Sequence, residues 1–423
     1  GAGAEDAPRV DAAVAGLLSG ADERLWWSLS SDFQRLAEAS PTAFLAALDD
    51  ALDQSPSPLS PLFVADTGGW HETDRLPDLL WALERLAWSR PLFGRVVDVL
   101  ARLAAIDPGG KSLNRPENTL RNLFLLWSPQ SNTTLSERLA VLDRLRRQRP
   151  AEAWPLLVML SPKGHDVMSP TAHPQWRDFS VEEPEEVTHS LMARGAGEIW
   201  RRLIEDAQAE LDRWETLVEL APAMPPHERE RMTSALWDVL PRWTDEAGRE
   251  AVRTKLRTLL HTHREYPDAD WSLPEAALST FDALYEALAP SDPVLASAWL
   301  FDHRAALPRP SGKGYRASGE ALDRLRRDAV ADLLREAPDR ILELARLTDL
   351  AGFIGKALAD LEVAPALVDP LVDQSLASDE DRVANLAHGY VATMHNAHGM
   401  AWVEDLIARF HSVDPSSRAV LRI

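Results

Sequence analysis

Short amphipathic stretches in this chain keep restarting at a proline, as in "SRPLFGRVVDVLARLAAIDPGG", "RQRPAEAWPLLVMLSP", "SDPVLASAWL" and "EAPDRILELARL". Proline fits the first turn of a helix, where its missing N–H would have no partner, so each of these prolines reads as a start signal. Apolar residues then follow at helical spacing. Leu79, Leu80, Leu83 and Leu86 form one face, and Phe93, Val96, Val97, Leu100 and Leu103 form the next, with "DPGG" at 107–110 closing the second helix. Two amphipathic helices joined by a few residues make an antiparallel hairpin.

The same unit recurs. Leu135, Leu139, Leu142 and Leu145 precede "RQRP" and then Trp154, Leu157 and Val158; Leu322, Leu325, Val330 and Leu333 precede "EAP" and then Ile341, Leu342 and Leu347. Further helices are expected near 22–38, 42–53, 116–126, 186–220, 227–240, 246–261, 274–289, 293–302, 350–362, 366–377, 380–394 and 396–410. Period-two runs of β-branched residues are almost absent, which argues against a sizeable sheet. The predicted fold is all-α, an irregular array of helical hairpins stacked as a HEAT-like α-solenoid, with units of about 30 to 45 residues and no tetratricopeptide signature.

Three segments interrupt the rhythm: the proline-rich 54–73, the long polar and aromatic loop 161–184, and the basic 303–318. Loops of this length in a helical protein are functional or disordered. They suggest an N-terminal helical segment over 1–60, hairpin repeats over 61–180 ending in the long loop, and a C-terminal helical-repeat region over 181–423.

Composition narrows the function classes. A net charge of −21, from 66 acidic and 45 basic residues, disfavours a surface broadly adhesive to nucleic acid or anionic lipid. No apolar run approaches the ~18 residues that a spanning helix needs, and no signal peptide opens the chain, so a soluble cytoplasmic protein is expected. The absence of cysteine excludes disulfides, thiolate catalysis and sulfur-ligated zinc. Arginine supplies nearly all the positive charge; codon bias accounts for that skew, although it also favours bidentate pairing with carboxylates. The opening "GAGAEDAPRV" and the abrupt end at Ile423 read as a piece of a longer protein with a short cloning scar.

Several motifs invite a chemical reading. "AIDPGGKS" ends like a phosphate-binding loop at Gly110, Lys111 and Ser112, but Ala105 stands where the first glycine belongs and a helix precedes it, so a helix-ending turn is the better account. His388, His395 and His398 lie near Glu404, and His395 and His398 share a face only if their helix runs through Asn396; Gly389 and Gly399 read instead as helix ends. "HTH" at 261–263 reads as a helix C-terminus with favourable dipole interactions. "DADWSLPE" lacks the glycine and the glutamate of a calcium loop. The tryptophans Trp81, Trp88, Trp154 and Trp237 fall at packing positions and read as core. No catalytic residue, metal site or cofactor is assigned.

The loop 161–184 holds the candidate partner-binding residues. Lys163, His165, Asp166, His173, Trp176 and Arg177 combine donors, acceptors and an aromatic face, the mixture that recognition loops use; an ordered connector stapled by its own Asp and Arg pairs is the competing account. Arg304, Arg309, Lys313 and Arg316, in a stretch without acids, are possible anion contacts.

"DPGGKSLNRPENTLRNLFLLWSPQ" (107–130) and "LLVMLSPKGHDVMSPTAHPQWRDF" (156–179) resemble helical regions of large multidomain bacterial proteins of the STAND-type ATPase and antiphage-defence kind, most clearly over 75–185. That resemblance implies a sensor or scaffold region separated from its effector, and it carries no catalytic residue with it. The expected function is a non-enzymatic helical-repeat scaffold or sensor that binds a protein partner and relays to a module outside this chain. Two alternatives are a helical repeat binding nucleic acid through Arg-rich patches, such as "RLRR" at 324–327 with the 303–318 loop, and an unrecognised hydrolase built on the histidine-bearing loops. Oligomeric state is left open.

Overall fold

A computed structural model describes residues 7–64, 74–110, 112–163, 165–181, 183–208, 210–303, 305–309, 315–361 and 363–411. Among the described residues the protein is all-α, with twenty-one α-helices, five short 3-10 turns and no strand. No described helix is long and apolar enough to cross a membrane. The chain gathers into two compact units, one of residues 1–206 with 223–228 and one of 207–222 with 229–423.

The first unit contains α1 (Ala7–Leu18), α2 (Glu23–Ser28), α3 (Phe33–Ala39), α4 (Pro41–Leu52), α5 (Leu76–Ala87), α6 (Phe93–Ala105), α7 (Pro116–Phe124), α8 (Leu135–Gln148), α9 (Pro150–Met159) and α10 (His189–Ala207). The hairpin pairs α5–α6 and α8–α9 pack as the spacing predicts. Pro150 opens α9, whereas Pro91 stands two residues ahead of α6. A capping box starts α8: Thr134 Oγ1 accepts the Glu137 N–H, and the Glu137 carboxylate accepts the Thr134 N–H at 2.9 Å. Helix α3 packs on α5 and α4 on α6. Asp49 of α4 is clasped by Arg95 at 2.6 Å and Arg102 at 3.3 Å from α6. Trp26, Phe33 and Phe44 form a buried aromatic trio with centroids 5.6 to 6.4 Å apart.

The second unit follows with α11 (Leu211–Leu220), α12 (Pro226–Val239, from Arg229 onward), α13 (Glu246–Glu265), α14 (Glu275–Ala287), α15 (Pro293–Ala298), α16 (Tyr315–Glu336), α17 (Arg340–Leu347), α18 (Gly352–Asp360), α19 (Pro365–Ala377), α20 (Asp381–His398) and α21 (Met400–His411). An apolar cluster in this unit joins α15 to α20 around Phe301, Val330, Ile341, Ile354, Leu371 and Leu386.

Three elements differ from the sequence-based expectation. The helix expected over 22–38 is broken by a 3-10 turn at Ser30–Asp32, where serine and aspartate favour turn geometry over helix. The helix expected over 186–220 is divided at Gln208, whose φ of 43° cannot continue a right-handed helix. Gly389 does not end a helix. It lies inside α20, and a β-carbon there would collide with the Gly352 carbonyl oxygen of α18, just as one on Gly355 would collide with the Leu386 carbonyl. These glycines let two helices touch backbone to backbone. The break falls at Gly399, with φ 77°, whose N–H caps the His395 carbonyl at 2.8 Å.

Candidate functional site

Helix α5 is buried around nearly its whole circumference, and among its side chains only Trp81 stands well out of the protein. That burial includes Glu84 and Arg85, two groups that must find partners or cost several kcal/mol. Neighbouring α3 buries a third, Glu38. Apart from the Glu38–Arg85 pair itself and Thr119 of α7, the partners come from the long loop 161–184, which lies across α5 as a strap.

Glu38 holds the tip of the strap. Its side chain is fully buried and pairs with Arg85 at 2.8 Å. It also accepts the backbone N–H groups of Gln175, Trp176 and Arg177 at 2.7 to 3.0 Å. Burial pushes this carboxyl upward, but the three amides and the guanidinium outweigh it and hold Glu38 below the ordinary carboxylate value. Arg177 returns the contact by donating to the carbonyls of Glu38 and Ala39. The Trp176 ring lies 5.2 Å from the Arg85 guanidinium carbon.

Glu84 holds the middle. It accepts the Ala172 N–H at 2.7 Å and the Thr119 hydroxyl at 3.3 Å. No cation is among these partners, and burial pushes its carboxyl above the ordinary value in spite of both bonds. Trp88, the C-cap residue just after α5, donates to the Ala172 carbonyl at 3.2 Å and stacks on His173 with centroids 4.1 Å apart. Gln130 accepts the Thr171 N–H, and Asn132 donates to the Trp88 and Phe179 carbonyls at 2.9 and 2.6 Å.

The structure thus divides the six candidate partner-binding residues. Asp166, His173, Trp176 and Arg177 are fastened to the unit: Asp166 pairs with Arg121 and accepts from Trp127 Nε1 at 3.1 Å. Lys163 and His165 are exposed. The fastened residues are not all hidden, since Trp176 is 56% exposed. Next to Asp166, Val167 is 82% exposed while its carbonyl accepts from Arg121 at 3.0 Å. Leu113, 83% exposed, is held likewise, its carbonyl accepting from Asn118 at 2.9 Å. Asn118 and Arg121 stand one turn apart on α7, so the backbone carbonyls of the two bare aliphatic residues are tied to adjacent turns of one helix, and Trp127, 40% exposed, donates to Asp166 beside Val167.

Of the possible anion contacts, Arg304, Lys313 and the side chain of Arg316 lie outside the described residues. Arg309 is exposed and 3.4 Å from Asp282. In "RLRR", Arg326 turns inward: it donates to the Leu300 carbonyl at 2.8 Å and lies 4.0 Å from the Phe353 ring centre. Lys111 also lies outside the described residues; around it, Asp107 pairs with Arg115 at 3.0 Å and accepts the Gly109 N–H, closing a turn after α6. Helix α20 runs through Asn396, so His395 and His398 do share one helix. Among the described residues, no three His, Asp or Glu side chains converge as metal ligands would. The "HTH" histidines lie at the C-terminal end of α13, as expected, with His263 in its last turn: the buried His263 accepts the Leu273 N–H at 3.0 Å, and His261 Nδ1 lies 3.0 Å from the Leu307 carbonyl oxygen.

Sequence reasoning missed the groups that fix the strap. The signal was present in α5, where Leu80, Glu84 and Ala87 share a face that is otherwise apolar. Trp81 and Trp237, expected in the core, are instead about two-fifths exposed, while Trp26, Trp200 and Trp214 are the fully buried ones. Comparison of the chain with protein-family models, curated proteins and solved structures gave no match.

Proposed function

We propose that this chain is a non-enzymatic helical scaffold or sensor whose first unit binds a protein partner through the apolar patch of Leu113, Trp127 and Val167. The observation that carries this reading is the pairing of rigid backbone with bare side chains: both aliphatic residues are tied down through their carbonyls while their side chains remain more than four-fifths exposed. Large apolar side chains on a preordered surface lose little entropy on binding, and they are the anchors that interfaces use. The Arg121–Asp166 pair beside them supplies a polar rim.

In this reading the hairpins α5–α6, α8–α9 and α16–α17 are irregular HEAT-like repeats in a cytoplasmic protein. The patch is then the input of a relay to a module outside this chain, as in multidomain bacterial antiphage-defence proteins. A photo-reactive residue at 113 or 167, compared with one at the exposed position 237 of the second unit, tests the reading in the cells that make the protein. The expected result is one protein cross-linked from 113 and 167 but not from 237, and lost from 113 when Val167→Asp is added and from 167 when Leu113→Asp is added, without a change in melting temperature. Equal labelling from all three positions, or labelling that survives these substitutions, ends it.

A further inference from the structure

The segment that follows α13, residues 266–273, is folded back on its helix around aromatic rings. Two successive turns close it: the Ala269 N–H donates to the Tyr266 carbonyl at 3.2 Å, and the Ser272 N–H donates to the Ala269 carbonyl at 2.8 Å. Its far end is fastened to α13, with Ser272 Oγ donating to the His263 carbonyl at 2.8 Å and the Leu273 N–H donating to His263 Nδ1. On this frame the rings of Tyr266 and Trp271 stand with centroids 6.0 Å apart, and Trp271 packs edge-to-face on His263 at 5.3 Å. The frame does not bury the pair: Tyr266 is 58% exposed and Trp271 53%. Large rings held together half in water are the residues that interfaces favour.

The charge around the pair has one sign. Asp268 and Asp270 lie between the two rings in the chain and are exposed, and neither makes a hydrogen bond or ion pair with the described residues. Cations in the neighbourhood are engaged elsewhere. Arg264 is clasped by Glu275 and Asp282 at 2.5 Å each, and Arg229 donates to the Ala221 carbonyl at 3.4 Å. Among the described residues, several arginines lie over aromatic rings, but none lies over Tyr266 or Trp271. His263 adds no positive charge at neutral pH, because burial and the Arg229 charge hold it below its ordinary value.

We propose that the Tyr266–Trp271 pair docks an arginine from a basic segment of a partner protein, with Asp268 and Asp270 supplying the opposite charge. The faces of both rings attract a cation through their quadrupoles. A guanidinium suits them better than an ammonium: it is planar and weakly hydrated, so it stacks on a ring and still has N–H groups left for a carboxylate. Charge complementarity selects the partner, since the two aspartates repel an acidic surface and gain nothing from a neutral one. The turn is pinned before the partner arrives, so little conformational entropy is lost on docking. This surface lies on the second unit, and the inference does not rest on the apolar patch of the first.

Fluorescence anisotropy of a labelled Gly-Arg repeat peptide, titrated with the whole chain at low salt, tests this against the same peptide carrying lysine or neutral citrulline in place of arginine. The arginine peptide is expected to bind at least about twofold more tightly than the lysine peptide and about tenfold more tightly than the citrulline peptide. Tyr266→Ala and Trp271→Ala should each weaken it about two- to fivefold. Asp268→Asn combined with Asp270→Asn should do about the same without touching a ring. A net charge of −21 attracts any basic peptide, so the controls carry equal weight: Trp237→Ala, and Asp328→Asn combined with Glu336→Gln, all exposed on the same unit, should leave affinity unchanged. Circular dichroism checks that each variant is folded, and Trp271→Phe, which keeps a ring against His263, should bind more tightly than Trp271→Ala. Failure of the arginine peptide to bind, equal binding of the lysine peptide, or ring substitutions no more harmful than the controls overturns the proposal.

Discussion

Glu38 in the first unit and Asp302 in the second are both acidic side chains drawn out of water, and they have opposite fates. Glu38 is met by three backbone amides and a guanidinium, so its charge is retained and a loop of more than twenty residues is ordered around it. Asp302 accepts no such set of hydrogen bonds among the described residues, and burial raises it in spite of the Arg257 and His303 charges nearby. A buried carboxylate with its partners built in fixes structure; one that lacks them costs stability. Glu84 stands between the two, with two neutral donors and no cation among them.

The largest effect should follow from Glu38→Gln. An amide can accept some of the strap's N–H groups, but it leaves Arg85 buried without its counter-charge, a defect that costs about 3–5 kcal/mol. Melting temperature should fall steeply, and the amide protons of Gln175, Trp176 and Arg177 should lose their protection against hydrogen exchange. The pH dependence has a definite sign. The folded-state value of Glu38 lies below the ordinary 4.5, so its stabilisation is complete above pH 4.5 and is lost as pH falls through the depressed value. Acid should therefore release the strap in the native protein and change little in the variant. A melting temperature unaffected by the substitution would mean that the strap is held elsewhere.

Helix content and pairing were legible in the sequence because they follow from local rules: proline at first turns, leucine at 3.6-residue spacing and short connections, all visible in α5–α6 and α8–α9. The strap was not. Nothing near Trp176 in sequence says that its N–H will meet Glu38, which lies 138 residues away. The loop's mixture of charge and aromatic groups looks the same whether those groups face a partner or their own unit, and it is the long-range acceptors that decide. The proposed apolar patch was overlooked for a related reason, because Leu113 and Val167 are single aliphatic residues in turns, and nothing beside either says that α7 side chains will hold both carbonyls. In Gly389 the local rule itself misled: glycine at a helix end and glycine at a helix crossing look alike until the second helix is in place.

A smaller effect separates anchor from fastening within the strap. Trp176→Ala removes the ring near Arg85 and should cost about 0.5–1 kcal/mol, since the ring is more than half exposed. Calorimetric melting of this variant beside Glu38→Gln should therefore show a gap of several degrees. Comparable losses in the two would shift the weight of the fastening from the carboxylate to the ring. Glu84→Gln should move stability the other way at neutral pH. The amide oxygen accepts the Ala172 N–H, the amide nitrogen donates to Thr119 Oγ1, and the cost of a buried charge disappears. The raised value of Glu84 means that its favourable state is complete below pH 4.5 and is lost as pH rises through the folded value. The variant's advantage should accordingly vanish in acid.

The smallest expected change is in the second unit, where Asp302→Asn tests whether a half-buried carboxylate is held at the expense of stability. The ordinary value for this group is 3.8 and burial raises it. Its favourable protonated state is complete below pH 3.8 and is lost as pH climbs through the folded value, so at neutral pH the charge is a net liability. Partial exposure to water screens that liability, which limits the gain from asparagine to under ~1 kcal/mol, about a degree or two of melting temperature in a chain of this size. The variant should melt slightly above the native protein at pH 7 and level with it near pH 3.5. A variant less stable than the native protein at neutral pH would show instead that Asp302 is already satisfied, and the contrast with Glu38 would collapse.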